Sequence, residues 1–186
     1  MKKPLLLFPI DFADCTHDVA ERAVSLAQDL EADMLVLHVL ETPAGMRPNT
    51  VIQPDPSRPA QSVADYQMDE VNERLPFYVQ TMLSEVKAKG EFVPKVTPMV
   101  AHGKASEVIL QVANEVGATQ IIMGTHGREG IMRVLLGSVA ETIARKADVP
   151  VTLVRGLHNA KCPASSCFWC TSGKETTHVL RAELDG

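Results

Sequence analysis

Glycines bracket one segment of the chain in a spacing that suits anion binding. Gly124 follows an apolar run, Gly127 comes next, and Gly137 directly precedes Ser138, giving the pattern Gly-x2-Gly-x9-Gly-Ser. Glycine lets backbone N–H groups approach an anion closely, and a helix that begins at Ser138 adds unpaired N–H donors and a positive dipole end. The segment therefore predicts a phosphate-binding loop, to which the Ser138 hydroxyl adds a donor.

The two common nucleotide motifs are missing from the sequence. No glycine-rich segment ends in Gly-Lys-Ser/Thr, and no Gly-x-Gly-x-x-Gly follows the first apolar run. P-loop and dinucleotide-binding proteins are therefore disfavoured.

A carboxylate, Asp11, ends the first apolar run. In parallel sheets such a residue often marks a ligand site, although a helix cap or a solvated loop residue remains the alternative.

Ser138 and Glu141 also fit an S-x-x-E capping box, which is compatible with phosphate binding. His38 and His126 have no identifiable nucleophile or carboxylate partner, so neither is assigned a catalytic role.

Short apolar runs alternate with helical patterns along most of the chain. The predicted strands are Leu5–Ile10, Met34–Val39, Lys95–Val100, Ile121–Met123 and Pro150–Val154. The predicted helices are Thr16–Leu30, one from Ser62 to Gly90, Ala105–Val116 and Ser138–Ala147. Five prolines in residues 41–61 indicate a long irregular loop that could act as a lid, and Pro76 predicts a kink or a division of the second helix.

Alternating strands and helices predict an α/β fold, an open parallel five-stranded sheet with helices on both faces, of the Rossmann-like kind. Ligands of such sheets bind beyond the carboxyl ends of the strands. Asp11, Val39 and Gly124 all fall at these ends.

Together these motifs resemble the ATP-binding branch of the universal stress protein family, whose fold is that of the adenine nucleotide alpha hydrolases. The matching segments are the loop spacing, Phe8-Pro9-Ile10-Asp11-Phe12, Leu37-His38-Val39 and Ala147-Asp148-Val149-Pro150-Val151. The resemblance covers about residues 1–156, the predicted domain, and leaves 157–186 as a cysteine-containing tail.

The resemblance implies a role for each matched residue. Asp11 would meet the ribose hydroxyls or the adenine edge, Met123 would lie beneath the nucleotide, and three residues would flank the base: Pro9, Ile10 and Val39. The residues implied to hold the phosphates are Gly124, Gly127, Gly137, Ser138 and Val139. We expect ATP as the ligand, with Mg²⁺ bridging its phosphates.

The last predicted strand, Val151–Val154, is apolar and lacks the lysines that commonly protect a sheet edge. Members of the family that the chain resembles commonly dimerise through this strand, so we expect a homodimer. Alternatively, the tail folds back over that edge and keeps the chain monomeric.

The tail contains Cys162, Cys167, Cys170 and His178, enough ligands for one zinc site. A disordered tail with free thiols is the other interpretation. Trp169, the only tryptophan, argues for order because leaving it exposed is costly; it could instead dock on the main domain.

The net charge of −5 disfavours nucleic acid as a partner, and no apolar run is long enough for a membrane span. Met1-Lys2-Lys3 is followed by no cleavage site, so we expect a cytoplasmic protein.

From the phosphate loop and the family resemblance we predict an ATP-binding regulatory protein of the stress response. The alternatives are a slow ATP hydrolase and a redox or metal sensor acting through the tail cysteines.

Overall fold

The computed structural model describes residues 3–12, 16–87, 92–125 and 137–155. Seven strands and four helices lie in these ranges. In chain order they are β1 (Leu5–Ile10), α1 (Thr16–Asp29), β2 (Asp33–Leu40), β3 (Val51–Ile52), β4 (Gln61–Ser62), α2 (Val63–Lys87), β5 (Val96–His102), α3 (Ala105–Val116), β6 (Gln120–Gly124), α4 (Ser138–Lys146) and β7 (Val151–Val154).

Five of the strands form one sheet in the order β5-β2-β1-β6-β7, and every pairing within it is parallel. The first two strands of the sheet in sequence, β1 and β2, are neighbours, and the chain then places β5 outside β2. It returns to the other side of β1 to add β6 and β7. The predicted open five-stranded parallel sheet is confirmed.

Helices cover both faces of the sheet, and each face has its own apolar core. On one face, α1 and α2 pack on alternate strand residues such as Phe8, Val36 and Ile122. On the other face, α3 and α4 pack on the intervening residues, among them Leu37 and Ile121. Successive side chains of a strand point to opposite faces, so the continuous apolar runs of β1 and β2 serve both cores.

The sequence predicts a kink or a division of α2 at Pro76; the helix continues through this residue, so a division is wrong. Proline removes the N–H that would bond to the carbonyl of Asn72, one turn earlier. Both Pro76 and Asn72 are exposed, so water can satisfy that carbonyl. On the opposite side of the helix, Leu75 and Tyr78 are buried in the core and hold the two halves in place.

The segment between β2 and α2, predicted as an irregular loop, contains the short antiparallel hairpin of β3 and β4. The Val63 N–H donates to the carbonyl of Thr50 at 2.9 Å, and the Ala64 N–H donates to that of Pro48 at 3.0 Å. These bonds join the hairpin to the first turn of α2. Among the helices of the described ranges, none combines the length and hydropathy needed to cross a bilayer.

Candidate functional site

The chain adds β2 and β5 on one side of β1 and then β6 and β7 on the other side. The carboxyl ends of β1 and β6 therefore form the topological switch point, where ligands of open α/β sheets bind. Strand β1 pairs with β2 as far as Ile10, but its register with β6 comprises only Leu6 and Leu7. The two strands are thus joined near their amino ends and lose their pairing toward the carboxyl edge.

Pro9 accounts for this loss of pairing. The Pro4 carbonyl accepts the Asp33 N–H of β2 at 2.9 Å, while the Leu5 carbonyl accepts the Thr119 N–H, next to β6, at 2.8 Å. Main-chain groups of successive residues point to opposite sides of a strand, so Leu5, Leu7 and Pro9 all face β6. Proline has no N–H, and the missing donor of Pro9 therefore falls on the β6 side.

Phe12 fixes the direction in which the chain leaves β1. Its φ of 56° lies in the left-handed region, which costs a residue with a side chain about 1–2 kcal/mol. Burial offsets this cost, because the Phe12 side chain is only 9% exposed. The turn leaves Asp11, which is half-buried, between the end of β1 and the anchored phenyl ring.

The Phe12 ring belongs to a cluster of side chains on the α1 and α2 face of the sheet. It lies 4.7 Å from the His38 ring and meets the Tyr78 ring edge-on at 5.8 Å, between ring centroids. The Arg74 guanidinium lies 4.5 Å from the centre of the Phe12 ring. Cation–π and edge-to-face contacts of this kind hold the position of Phe12, and with it the position of Asp11.

Tyr78 and Asp11 also interact electrostatically. Burial first, and the negative charge of Asp11 second, raise the pKa of the Tyr78 hydroxyl well above its ordinary value. Both effects favour the neutral phenol over a phenolate beside Asp11.

His38 is buried, and its Nδ1 lies 2.9 Å from the carbonyl oxygen of Ile10. A carbonyl oxygen can only accept, so Nδ1 carries the hydrogen and donates it. This bond ties β2 to the end of β1. The geometry agrees with a structural role for His38, whereas His126 lies outside the described residues.

On the β6 side, Thr125 closes the base of the predicted phosphate loop. The Gly137 N–H donates to the Thr125 carbonyl at 2.7 Å, and the Thr125 N–H donates to the Val154 carbonyl of β7 at 3.0 Å. The chain thus leaves the sheet after Thr125 and returns to the same point at Gly137. Residues 126–136, including Gly127, lie outside the described part of the chain.

Gly137, with φ −67° and ψ 153°, is the N-cap of α4, and no described side chain bonds to the cap. The predicted capping box of Ser138 and Glu141 is therefore wrong, because Ser138 is already the first helical residue. The Glu141 carboxylate instead forms an ion pair with Arg145 at 2.9 Å. The first N–H groups of a helix have no partner within it, so those of α4 can serve an anion.

The amino end of α3 differs, although it lies at the same edge of the sheet. There the Glu41 carboxylate, directly after β2, accepts the N–H of Ala105. That helix end already has an anion supplied by the chain. Of these two helix ends, only that of α4 lacks a capping side chain from the described residues.

The apolar residues of the predicted site divide between the two faces. Val39, Met123 and Val139 contact the core on the α3 and α4 face, and strand alternation places Pro9 on the same side. Ile10 is buried in the opposite core and does not share their surface. Gly124 ends β6, half-buried, and Ser138 is exposed at the start of α4.

The sequence patterns gave no role in the site to Phe12, Tyr78 or Thr125. An apolar residue directly after Asp11 was the one available signal for Phe12, while the other two depend on tertiary contacts. The predicted zinc ligands Cys162, Cys167, Cys170 and His178 lie outside the described residues, and within the described ranges no three His, Cys, Asp or Glu side chains are grouped as metal ligands.

Comparison with known proteins gives the family. The model of the universal stress protein family matches residues 5–155, which is most of the chain. This chain belongs to the universal stress protein family. Two universal stress proteins of Methanocaldococcus jannaschii are similar to it. MJ0531 is 27% identical over 151 residues, 81% of each chain, and MJ0577 is 29% identical over 153 residues, 81% of this chain and 93% of its own.

Solved universal stress proteins share the fold. UspA from Lactobacillus plantarum superposes with a TM-score of 0.60 at 18% identity, covering 83% of this chain and 99% of its own. A universal stress protein from Archaeoglobus fulgidus in complex with dAMP gives 0.54 at 19% identity, with coverage of 83% and 98%. Another, in complex with cAMP, gives 0.51 at 18% identity, with coverage of 84% and 99%.

Replacement of Phe12 by alanine should lower the free energy of unfolding by about 3–5 kcal/mol, because it removes the buried ring that holds the turn after β1. Urea denaturation of this universal stress protein measures the loss. Phe77→Ala is the matched control: the Phe77 side chain is 45% exposed, so its removal should cost much less stability than that of Phe12. Equal losses in the two variants would show that Phe12 is not the anchor.

Proposed function

We propose that this universal stress protein binds ATP at the carboxyl edge of its sheet, between β1 and β6, and acts as a regulatory module whose state depends on nucleotide occupancy. The amino end of α4 is the main support for this function. It has no capping side chain among the described residues, and the bond between Thr125 and Gly137 fixes it at the switch point. Helix N-termini at this position bind phosphate groups.

Adenine is the base that the related structures favour. The complexes with dAMP and with cAMP each contain adenine and a phosphate group. Among adenine nucleotides we propose ATP, because the loop can bind more than one phosphate. The eleven residues 126–136 that join Thr125 to Gly137 include Gly127 and Gly130 and can offer several backbone donors.

The proposed nucleotide contacts take into account which face of the sheet each side chain occupies. Asp11 accepts hydrogen bonds from the ribose hydroxyls or the adenine edge, Pro9 and Val39 flank the base, and Met123 lies beneath the nucleotide. Ile10 contributes through the position of Asp11, because its side chain packs in the opposite core. The residues that we propose hold the phosphates are Gly124, Gly127, Gly137, Ser138 and Val139.

We propose that Mg²⁺ binds together with the nucleotide and is not a resident ion of the protein. It binds through phosphate oxygens and keeps several of its waters, so it needs few protein ligands. We propose that the protein acts in the cytoplasm by binding ATP.

Calorimetric titration of the full chain with ATP and Mg²⁺ tests this function. Asp11→Ala should weaken binding by about 1–3 kcal/mol, the cost of losing a hydrogen bond to a charged group. Asp33→Ala is the control, since that carboxylate lies at the opposite edge of the sheet and is bonded to Lys3 and to the Lys95 N–H. No heat with millimolar ATP would refute the function, and equal affinities of the two variants would refute the role of Asp11.

Two serines at helix starts should give opposite results. Ser138 is not a cap, so Ser138→Ala should leave the free energy of unfolding of the nucleotide-free protein unchanged and weaken ATP binding. The Ser62 hydroxyl accepts the Asp65 N–H at 3.1 Å and caps α2, so Ser62→Ala should cost about 1 kcal/mol of stability and leave affinity unchanged. Urea denaturation and calorimetry on both variants measure the two effects. A stability loss in Ser138→Ala with unchanged affinity would contradict the assignment.

We further propose a homodimer through the outer edge of β7, with which no strand of the described residues pairs. The carbonyls of Pro150 and Val154 accept N–H groups of β6 and its continuation, so the main-chain groups of Val151 and Leu153 point away from the sheet. A second copy related by a two-fold axis can pair with these groups in antiparallel fashion.

Light scattering over a concentration series tests the pairing. Val151→Pro removes one outward N–H, and proline is tolerated at an edge where that group faces solvent. The variant should keep the circular dichroism spectrum of a folded protein and dissociate at higher concentration than the parent. A parent protein that stays monomeric, or a variant that dimerises equally well, would exclude this interface.

A further inference from the structure

An open groove of about 450 Å³ lies between α1 and β7, on the α1 face of the sheet. It is separate from the carboxyl edge between β1 and β6. The apolar side chains that line it include Leu26 and Val154, both partly buried, and Ile122, which is almost completely buried. Ser25 on the α1 side and Thr152 on the β7 side add polar groups. The groove exists because α4 covers the other face of β7 while Val154, on this face, stays only partly buried.

The rim of the groove carries charge. Arg22 and Asp29 come from α1, and Arg155 directly follows β7. A guanidinium at the rim can lie over an aromatic ring seated on the apolar surface, an arrangement that contributes about 0.5–2 kcal/mol. The arginines at the rim can thus receive an aromatic side chain.

We infer that the groove is the docking site of the chain's own tail, with the Phe168-Trp169 pair as the inserted element. The described fold ends at Arg155, which itself lines the groove, and the sequence continues to residue 186. Twelve residues lie between Arg155 and Phe168, and this connection can span at most about 45 Å, so it reaches every part of the groove.

The composition of the tail matches this site. Residues 162–173 contain no charged side chain and hold the only tryptophan of the chain next to Phe168. Burying an aromatic pair of this size removes a large apolar surface from water. A short connection also gives the tail a high effective concentration at the groove, so docking costs little closure entropy.

Because Trp169 is the only tryptophan, its fluorescence in the full-length protein tests the docking directly. The emission should be shifted to the blue relative to the protein in urea and protected from iodide quenching. Leu26→Asp places a charge in the groove and should shift the emission to the red, with a several-fold rise in quenching. Leu30→Asp, the matched control just beyond α1, is exposed and outside the groove and should have no effect. Parent emission equal to that in urea would overturn the inference.

A second variant leaves the core untouched, since Ser25 is exposed. With Cys15 replaced by serine, Ser25→Cys should form a disulfide with Cys167 or Cys170 on mild oxidation with diamide, and Leu30→Cys should not. Mass spectrometry of proteolytic fragments identifies the link, and non-reducing electrophoresis separates links within a chain from links between chains. No link, a link formed equally by Leu30→Cys, or a link only between chains would overturn the proposal, the last of these in favour of a second copy.

Discussion

The hydrogen-bond ladder between β1 and β6 ends at Pro9, and the proposed site depends on that ending. A central strand normally pairs along its whole length on both sides, and proline is uncommon there because it cannot donate. Here the missing N–H falls on the β6 side, so β1 stays paired with β2 up to Ile10 and parts from β6 after Leu7. The sheet opens at its switch point without loss of the two cores that cover it.

The two sides of the opening are held by different interactions. Beyond β1, the buried Phe12 ring fixes a left-handed turn, with His38, Tyr78 and Arg74 around it, and so fixes the backbone of Asp11. Beyond β6, a main-chain bond between Thr125 and Gly137 fixes the start of α4. Side-chain packing thus positions the proposed base and ribose contacts, while backbone hydrogen bonds position the proposed phosphate contacts.

Much of the fold could be predicted because its signals are local. The run Leu5–Ile10 and the helix Ala105–Val116, which ends at the left-handed Gly117, have the predicted bounds. The hairpin was missed because strands of two residues carry no periodicity. The capping box was wrong because Ser-x-x-Glu is a local pattern, whereas the N-cap is Gly137, whose N–H donates to the distant Thr125 carbonyl. The role of Phe12 requires contacts with α2 and β2, which lie far away in sequence.

A titration of the isotope-labelled full-length protein with ATP and Mg²⁺, followed by amide chemical shifts, tests most directly whether the carboxyl edge binds the nucleotide. The largest changes should map to Asp11, Val39, Gly124 and residues 137–139, at that edge. Amides at the opposite edge, such as Asp33 and Thr119, should stay unchanged. Changes concentrated at the opposite edge, or none at saturating ATP, would contradict the claim that the opening between β1 and β6 is a nucleotide site.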